Sequence, residues 1–182
     1  MKIEKLLWSK TKTDILKYLI FKQEGISLRA LENVLKRSFP AIKKQVDILE
    51  ESWIVYIDKI SSGWEVYIKE DLKPFIRKIF LYSLYEDILD LINENDNLIK
   101  EYFLGKLFWY ELPDNIDLVF IYDSQYSALL DKFKFQLDKL LESYFLDKII
   151  ITFLDIKQFY KRYTTWDKFA ITLKGKWWKK CI

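Results

Sequence analysis

The sequence of 182 residues contains no histidine and a single cysteine, Cys181. One cysteine excludes a disulfide within the chain. Zinc sites are built mostly from cysteine and histidine, so an ordinary zinc site is not expected. A divalent-metal site in this chain would depend on carboxylates, the ligands that suit Mg²⁺. We therefore do not expect a protein that depends on internal disulfides or on zinc for its fold.

Glycine, proline and long apolar runs are also scarce. The chain has four glycines and three prolines, so long flexible linkers are not expected. No apolar run approaches the roughly 18 residues needed to cross a bilayer. The first ten residues lack the apolar region of a signal peptide. We therefore expect a cytoplasmic protein without a membrane partner.

Apolar and aromatic residues are abundant, at 51% and 18% of the sequence. This composition predicts a sizeable core, and the length allows one large or two small domains. Residues 1–80 hold 16 Lys and Arg against 11 Asp and Glu, a net charge of +5, and the remaining residues hold 14 against 16. The basic first part suggests an anionic partner for that part, although chance variation of surface charge is the alternative.

The first part of the chain predicts three short helices. Thr13–Gln23 has apolar residues at helical spacing. Ser27 is predicted to cap a second helix and Ser38 a third, which has Pro40 in its first turn. The predicted core face of the third helix consists of Ile42, Val46 and Leu49.

Two strands are predicted after the third helix. Trp53–Asp58 and Gly63–Lys69 are rich in β-branched and aromatic residues, and the segment between them predicts a hairpin. Three helices followed by a hairpin is the order of a winged helix-turn-helix. The stretch SFPAIKKQVDILEESWIVYI resembles the recognition helix and first wing strand of ArsR-type bacterial repressors. Ser52 and Trp53 stand where that family usually has glycine, so we expect a different turn there.

This resemblance implies binding to double-stranded DNA through the third helix and the wing. The candidate DNA-binding residues are Arg37, Ser38, Ala41, Lys43, Lys44, Lys59, Ser61 and Ser62. Only Arg29 and Arg37 precede residue 70 among the arginines, so bidentate recognition of guanine is limited. Exposed lysine pairs are also common on surfaces that bind nothing, and winged helices also serve as protein-interaction modules.

The remainder predicts a connecting helix and a small α/β domain. Asp71–Asn97 has helical periodicity with Pro74 near its start, and it could pair with a second copy. From Leu98 onward, strands and helices alternate. Strands are predicted at 98–104, 116–122 and 148–154, with helices at 124–144, 155–162 and 166–173. The predicted domains are 1–70, 71–97 and 98–182, and the fold class is a two-domain combination of α+β and α/β.

The segment Gly105–Asp117 and the apolar strand after it resemble the signature of the minimal nucleotidyltransferases. That signature is a strand, Gly-Ser, a second glycine, and Asp-x-Asp at the start of the next strand. Gly105 and Asp117 match, whereas Lys106, Tyr110 and Asn115 replace the serine, the second glycine and the first aspartate. Ile151–Phe159 and Asp167–Gly175 also resemble that family, which implies a nucleotidyltransferase-like C-terminal domain.

The family transfers a nucleoside monophosphate from a triphosphate, using Mg²⁺ held by three carboxylates. Asp117 is the one carboxylate that remains, because Asn115 is neutral and Ile150 aligns with the third acid. Strand alternation predicts that Asn115 and Asp117 share one face. The resemblance leaves Gly105, Lys106 and Asp117 as candidate nucleotide-binding residues and Asp117 as a candidate metal ligand.

Three functions remain open at this stage. The favoured hypothesis is a homodimeric DNA-binding transcriptional regulator, whose inactive nucleotidyltransferase-like domain serves dimerisation, ligand binding or partner binding. The alternative is a Mg²⁺-dependent nucleotidyltransferase that modifies a protein or a nucleic-acid end. The third is a structural interaction protein with a protein partner, to which the tail Gly175–Ile182 could contribute.

Overall fold

The computed structural model describes residues 9–22, 25–60, 63–108 and 115–175. By its contacts the chain divides into two compact units. The first is Met1–Asp87 with Leu141–Leu146, and the second is Ile88–Leu140 with Asp147–Ile182. The long helix and the helix that ends at Ser143 each contribute residues to both units.

The first unit begins with three helices, α1 (Lys10–Phe21), α2 (Leu28–Leu35) and α3 (Phe39–Glu51). The predicted cap of α2 is confirmed, because the Ala30 N–H donates to the Ser27 hydroxyl at 3.2 Å. The predicted core face of α3 is also confirmed, with Ile42 and Val46 at 0% exposure and Leu49 at 2%. These side chains anchor α3, and its opposite face is left to solvent.

Ser38 occupies the predicted N-cap position of α3 with the backbone conformation of a cap, but the expected capping hydrogen bond is missing. Instead, the Phe39 N–H donates to Glu32 Oε1 at 3.1 Å. Glu32 lies in α2, so its carboxylate satisfies an open donor at the start of α3 and fixes the turn between the two helices.

A three-stranded antiparallel sheet closes the first unit. Its strands are β1 (Ile26–Ser27), β2 (Val55–Ile60) and β3 (Gly63–Ile68), in the order β1-β3-β2. The pairing of β2 with β3 runs in register from Val55↔Ile68 to Ile60↔Gly63. The predicted hairpin is therefore present, with strand starts that differ from prediction by up to two residues. The order α1-β1-α2-α3-β2-β3 is that of a winged helix-turn-helix.

The helix that follows, α4, spans Lys73–Asn93, shorter than the predicted 71–97. Phe80, Leu81 and Leu84 are at most 1% exposed. Tyr144, near the end of the first unit's second segment, donates its hydroxyl hydrogen to Asp87 at 2.7 Å and lies 3.1 Å from the Ser83 hydroxyl. Burial of large side chains of this kind stabilises a fold by roughly 1.5–3 kcal/mol each.

The second unit contains a mixed three-stranded sheet. Its strands are β4 (Ile99–Leu104), β5 (Leu118–Tyr122) and β6 (Ile151–Asp155), in the order β4-β5-β6. The β4–β5 pair is antiparallel and the β5–β6 pair is parallel. The central strand, β5, is buried from Leu118 to Ile121, as expected for a continuous apolar run.

Three helices complete this unit or lead out of it: α5 (Leu130–Ser143), α6 (Ile156–Thr164) and α7 (Lys168–Gly175). A 3₁₀ turn over Ser124–Leu129 replaces the first part of the predicted helix 124–144. The core on one side of the sheet contains Phe103, Ile116, Val119, Ile121, Phe159, Ala170 and Leu173. The alternation of strands and helices agrees with the predicted α/β class of this part of the chain.

Candidate functional site

The N-terminal half of α3 presents two lysines to solvent. Lys43 and Lys44 are exposed, whereas Ala41 is partly buried. Arg37 and Ser38, just before the helix, are exposed as well. The structure therefore places the five predicted DNA-binding residues of this region around one helix start, on the side away from the buried Ile42 and Val46. In winged helices this is the part of the third helix that enters the major groove.

Lys43 is held by an acidic neighbour one turn later. Its Nζ lies 3.1 Å from Asp47 Oδ1 and 3.2 Å from Oδ2. Both side chains are more than 40% exposed, so the pair contributes little to stability. Its main effect is on the surface, because the aspartate cancels part of the positive charge that Lys43 presents. Lys44 is therefore the stronger candidate for a phosphate contact.

The charge along α3 changes sign from its start to its end. Glu50 and Glu51, at the C-terminal end, are exposed, as Lys43 and Lys44 are at the other. Arg37 adds positive charge before the helix, and its Nη2 lies 3.9 Å from Asp14 of α1. An anionic partner is therefore attracted to the N-terminal half of α3 and repelled from its last turn.

The wing has two faces of different character. Lys59 pairs with Trp64 across the hairpin, on the face that farther along carries the buried Val55 and Val66. The Lys59 ammonium lies 5.1 Å from the centre of the Trp64 indole, which is 49% exposed. A cation beside an exposed aromatic ring is able to contact both phosphate and sugar. Ser61 and Ser62, also predicted to bind DNA, lie outside the described residues.

The opposite face of the wing is acidic. Asp58 pairs with Glu65 there, beside the stacked rings of Tyr56 and Tyr67. The Tyr67 hydroxyl donates to Glu65 at 2.6 Å, which raises the pKa of Tyr67 to about 12. The raised pKa follows because ionised Tyr67 would lose that hydrogen bond and repel the carboxylate. A nucleic acid is therefore expected to contact the Lys59 side of the wing.

Gly105 lies where two backbone segments approach each other closely. The Gly105 N–H donates to the Asp117 carbonyl at 2.8 Å, and the Lys106 N–H donates to the Ile116 carbonyl at 3.2 Å. A Cβ atom on Gly105 would overlap the Ile116 carbonyl oxygen. The glycine is thus required by the packing of the strand ends, independently of any ligand.

Asp117 lies beside Ile150 and exchanges two hydrogen bonds with it. The Asp117 N–H donates to the Ile150 carbonyl at 2.9 Å, and the Ile150 N–H donates to Asp117 Oδ2 at 3.0 Å. Asp117 is 9% exposed, and Ile150 is 50% exposed. The carboxylate joins the starts of β5 and β6, so it has a structural role in addition to any role toward a ligand.

The predicted shared face of Asn115 and Asp117 is wrong. Strand β5 begins at Leu118, so neither residue follows strand alternation. Asn115 is exposed with a φ of 53°, in the left-handed region, whereas Asp117 is buried. Lys106 is exposed in a 3₁₀ turn over Lys106–Phe108.

Tyr110, the remaining substitution of the predicted motif, lies outside the described residues. Within the described ranges no cluster of three or more acidic or cysteine side chains is arranged to hold a metal ion. Asp117 is the one carboxylate among the predicted site residues, and the structure places it next to the aliphatic Ile150.

A buried polar cluster in the second unit was not predicted. The Glu101 carboxylate accepts hydrogen bonds from Tyr160 at 2.9 Å and from Lys174 at 3.2 Å. Burial alone would lower the pKa of Lys174, but the hydrogen bonds to Tyr160 and Glu101 and the charge of Glu101 outweigh it and raise the pKa. Glu101 shares strand parity with the buried Phe103, and this was the available sequence indication.

This cluster borders an open cleft of about 370 Å³, which is lined by Tyr163, Ile171, Lys174 and Gly175. Lys174 faces Glu101, so the positive charge at the cleft is already compensated. The cluster accordingly ties β4 to α6 and α7, and it does not create a charged ligand site.

Solved structures, but no protein-family model, are similar to this chain. No protein-family model matches the sequence, and no curated protein matches it significantly. Among solved structures, the chain is similar to the transcriptional regulator SlyA, with 13% identity and a TM-score of 0.43 over 81% of this chain and 87% of that one. It is also similar to a MarR protein from Peptoclostridium difficile, with 16% identity and a TM-score of 0.42 over 78% of each chain. Neither score is high enough to establish a shared fold.

Among the described residues, none of the helices combines the length and the apolar character that crossing a bilayer requires.

Proposed function

We propose that this chain is a homodimeric DNA-binding transcriptional regulator. The observation that carries the proposal is the winged helix-turn-helix order of the first unit, with Lys43 and Lys44 exposed on the N-terminal half of α3. The buried face of α3 holds the helix in place. Its exposed face carries positive charge, which a phosphate backbone attracts. Arg37 and Lys59 extend the basic surface before α3 and onto the wing.

The expected contribution of each residue follows from its surroundings. Lys44 and Arg37 act on phosphates, Lys43 acts at reduced strength because of Asp47, and Lys59 contacts the backbone or the minor groove from the wing. Few arginines are available for bidentate contacts to guanine. Sequence selection would then depend substantially on DNA shape and on the spacing of two half-sites in a dimer.

The second unit is proposed to be a nucleotidyltransferase-like domain that has lost catalysis and serves dimerisation, ligand binding or partner binding. This is supported by the neutral Asn115 and by Ile150 beside Asp117. One carboxylate cannot supply the charge of a two-metal site. Gly105, Lys106 and Asp117 are retained as candidates for binding a nucleotide without turnover.

The DNA-binding proposal is tested by selecting genomic fragments on the purified protein and measuring affinity for the enriched sequence. The double variant Lys43→Ala with Lys44→Ala is expected to lose at least about tenfold in affinity. A matched control removes two exposed lysines of the second unit, Lys132→Ala with Lys161→Ala, and should bind as the wild type does. Failure to enrich any fragment, or equal losses in both double variants, would contradict the proposal.

The alternative, Mg²⁺-dependent nucleotidyl transfer, rests on Asp117 and the preserved strand arrangement. Its test is titration of labelled triphosphates with and without Mg²⁺, followed by a search for label on protein or nucleic-acid acceptors. Label transfer that is abolished by Asp117→Asn in a folded protein would favour this alternative. The inactive domain that we propose predicts no transfer in any of these mixtures.

A further inference from the structure

The exposed side of α4 carries apolar and aromatic residues along its first three turns. Phe75, Ile79 and Tyr82 are 68%, 43% and 55% exposed. Their spacing of four and three residues places them on one stripe of the helix. All three belong to the first unit. Exposed apolar stripes of this kind mark interaction surfaces in soluble proteins.

The charged residues of α4 form two blocks of opposite sign. Lys73, Arg77 and Lys78 lie in the N-terminal part, and Glu86, Asp87 and Asp90 lie in the C-terminal part. Residues 79–85 between the blocks carry no charge. The helix dipole favours the reverse order, with acids at the N-terminal end and bases at the C-terminal end. The charge order therefore does not stabilise the helix by itself.

The same order is self-complementary when two copies of α4 run antiparallel. With a two-fold axis at Tyr82, residues equally distant from it on either side lie opposite each other. Lys78 then faces Glu86 of a second copy, because both residues lie on the same side of the helix as Tyr82. A two-fold axis brings Lys78 and Glu86 together twice. In the antiparallel arrangement the two helix dipoles also point in opposite directions, which is favourable.

We propose that a second copy of this chain docks on the exposed face of α4, with the two helices antiparallel about Tyr82. The proposal rests on the homodimer of the proposed function and names its surface. Lys78 and Glu86 select the occupant, because a base and an acid four residues to either side of Tyr82 fit an identical helix. The apolar stripe provides the contact, and the two Lys78–Glu86 pairs set the antiparallel register.

Charge reversal tests this arrangement, with dimerisation of the full chain followed by sedimentation over a range of concentrations. Lys78→Glu places like charges opposite each other at two symmetric places, and Glu86→Lys does the same. Each single reversal is expected to weaken the dimer at least about tenfold. The double variant restores opposite charges across the axis, so it should return to within about threefold of the wild type.

Lys132→Glu is the control for Lys78→Glu, because it makes the same change of net charge on an exposed residue of α5. It should leave dimerisation unchanged. Tyr82→Ser removes the side chain at the axis without changing charge, and it should also weaken the dimer. Urea unfolding of each variant shows whether a loss of dimer reflects a loss of folding. If a single reversal fails to fold, Tyr82→Ser decides the outcome.

Two results would overturn the proposal in distinguishable ways. This surface is ruled out, while the homodimer is left intact, if the dimer persists in Lys78→Glu and Tyr82→Ser. The same conclusion follows if the double variant dimerises as weakly as the single variants. A wild type that remains monomeric at all concentrations rules out the homodimer as well. DNA affinity is measured separately, because a monomer is able to bind a half-site.

Discussion

At the scale of single residues, the chain ends three helices with aromatic side chains where glycine is usual. Trp53, Phe145 and Trp166 have φ values of 61°, 57° and 61°. Each donates its N–H to the carbonyl three residues earlier, and the next residue donates to the carbonyl five residues earlier, as Ile54 does to Leu49. This is the hydrogen-bond pattern of a Schellman motif, whose left-handed residue favours glycine.

We expect Trp166→Gly to stabilise the second unit by about 0.5–1 kcal/mol. The tryptophan is 83% exposed, so its removal loses little packing, while glycine relieves the left-handed backbone. The gain is partly offset by the greater freedom of glycine in the unfolded chain. The free energy of urea unfolding measures the change, and Trp166→Ala, which keeps the strained backbone, should not be stabilised.

The corresponding variant Trp53→Gly should gain less. The Lys69 ammonium lies 4.0 Å from the centre of the Trp53 ring, and such an exposed contact is worth roughly 0.5–1 kcal/mol. A larger gain for Trp53→Gly than for Trp166→Gly would show that the Lys69 contact contributes nothing.

Gly105 is the residue whose replacement is expected to be most damaging in the second unit. Gly105→Ala places a methyl group against the Ile116 carbonyl, so the junction between β4 and β5 must open. We expect a loss of more than about 2 kcal/mol in the free energy of unfolding. Gly175→Ala is the matched control, because a Cβ there meets no atom within 4 Å. Equal effects at both glycines would contradict the steric role of Gly105.

At the scale of secondary structure elements, the sign of the charge along α3 decides how DNA is met. Asp47→Asn releases Lys43 and removes a negative charge from the same helix face. We expect DNA affinity to rise by roughly three- to tenfold, with little change in stability because the pair is exposed. The control Asp131→Asn removes an exposed aspartate of α5 that lies 3.9 Å from Lys134, and it should leave affinity unchanged. An affinity that falls for Asp47→Asn would mean that the aspartate itself contacts DNA.

The elements were predictable where a local pattern determined them. Ser27 and the core face of α3 follow from capping and from helical periodicity, and both were confirmed. The N-cap position of Ser38 was also predictable, but the hydrogen bond from the Phe39 N–H to Glu32 was not, because Glu32 reaches the start of α3 only after α2 and α3 have packed. The face of Asn115 was misassigned because the left-handed backbone there interrupts the alternation that was assumed. The hydrogen bonds of Glu101 to Tyr160 and Lys174 were not predictable, because these residues are distant from Glu101 in sequence.

At the scale of the whole molecule, the chain combines a winged helix-turn-helix unit with a second unit in which Asp117 is the one carboxylate left of the predicted nucleotidyltransferase signature. The sequence predicted that the candidate DNA-binding residues around α3 lie close together, because they surround the start of one helix. The candidate nucleotide site was placed only in part, since Asp117 and Ile150 lie together while Asn115 is turned to solvent. Sequence spacing located the strands of that site, but it did not reveal the backbone at their ends.

The most direct test of the central claim is the affinity for the selected DNA duplex, measured by fluorescence anisotropy between 50 and 200 mM salt. The logarithm of the association constant should fall linearly with the logarithm of the salt concentration, with a slope of about −3 to −4 for each bound copy. Arg37, Lys43, Lys44 and Lys59 are the bases that would account for this slope. Lys44→Ala should reduce the magnitude of the slope by about 1. Binding that does not depend on salt, or a slope that Lys44→Ala leaves unchanged, would contradict the account.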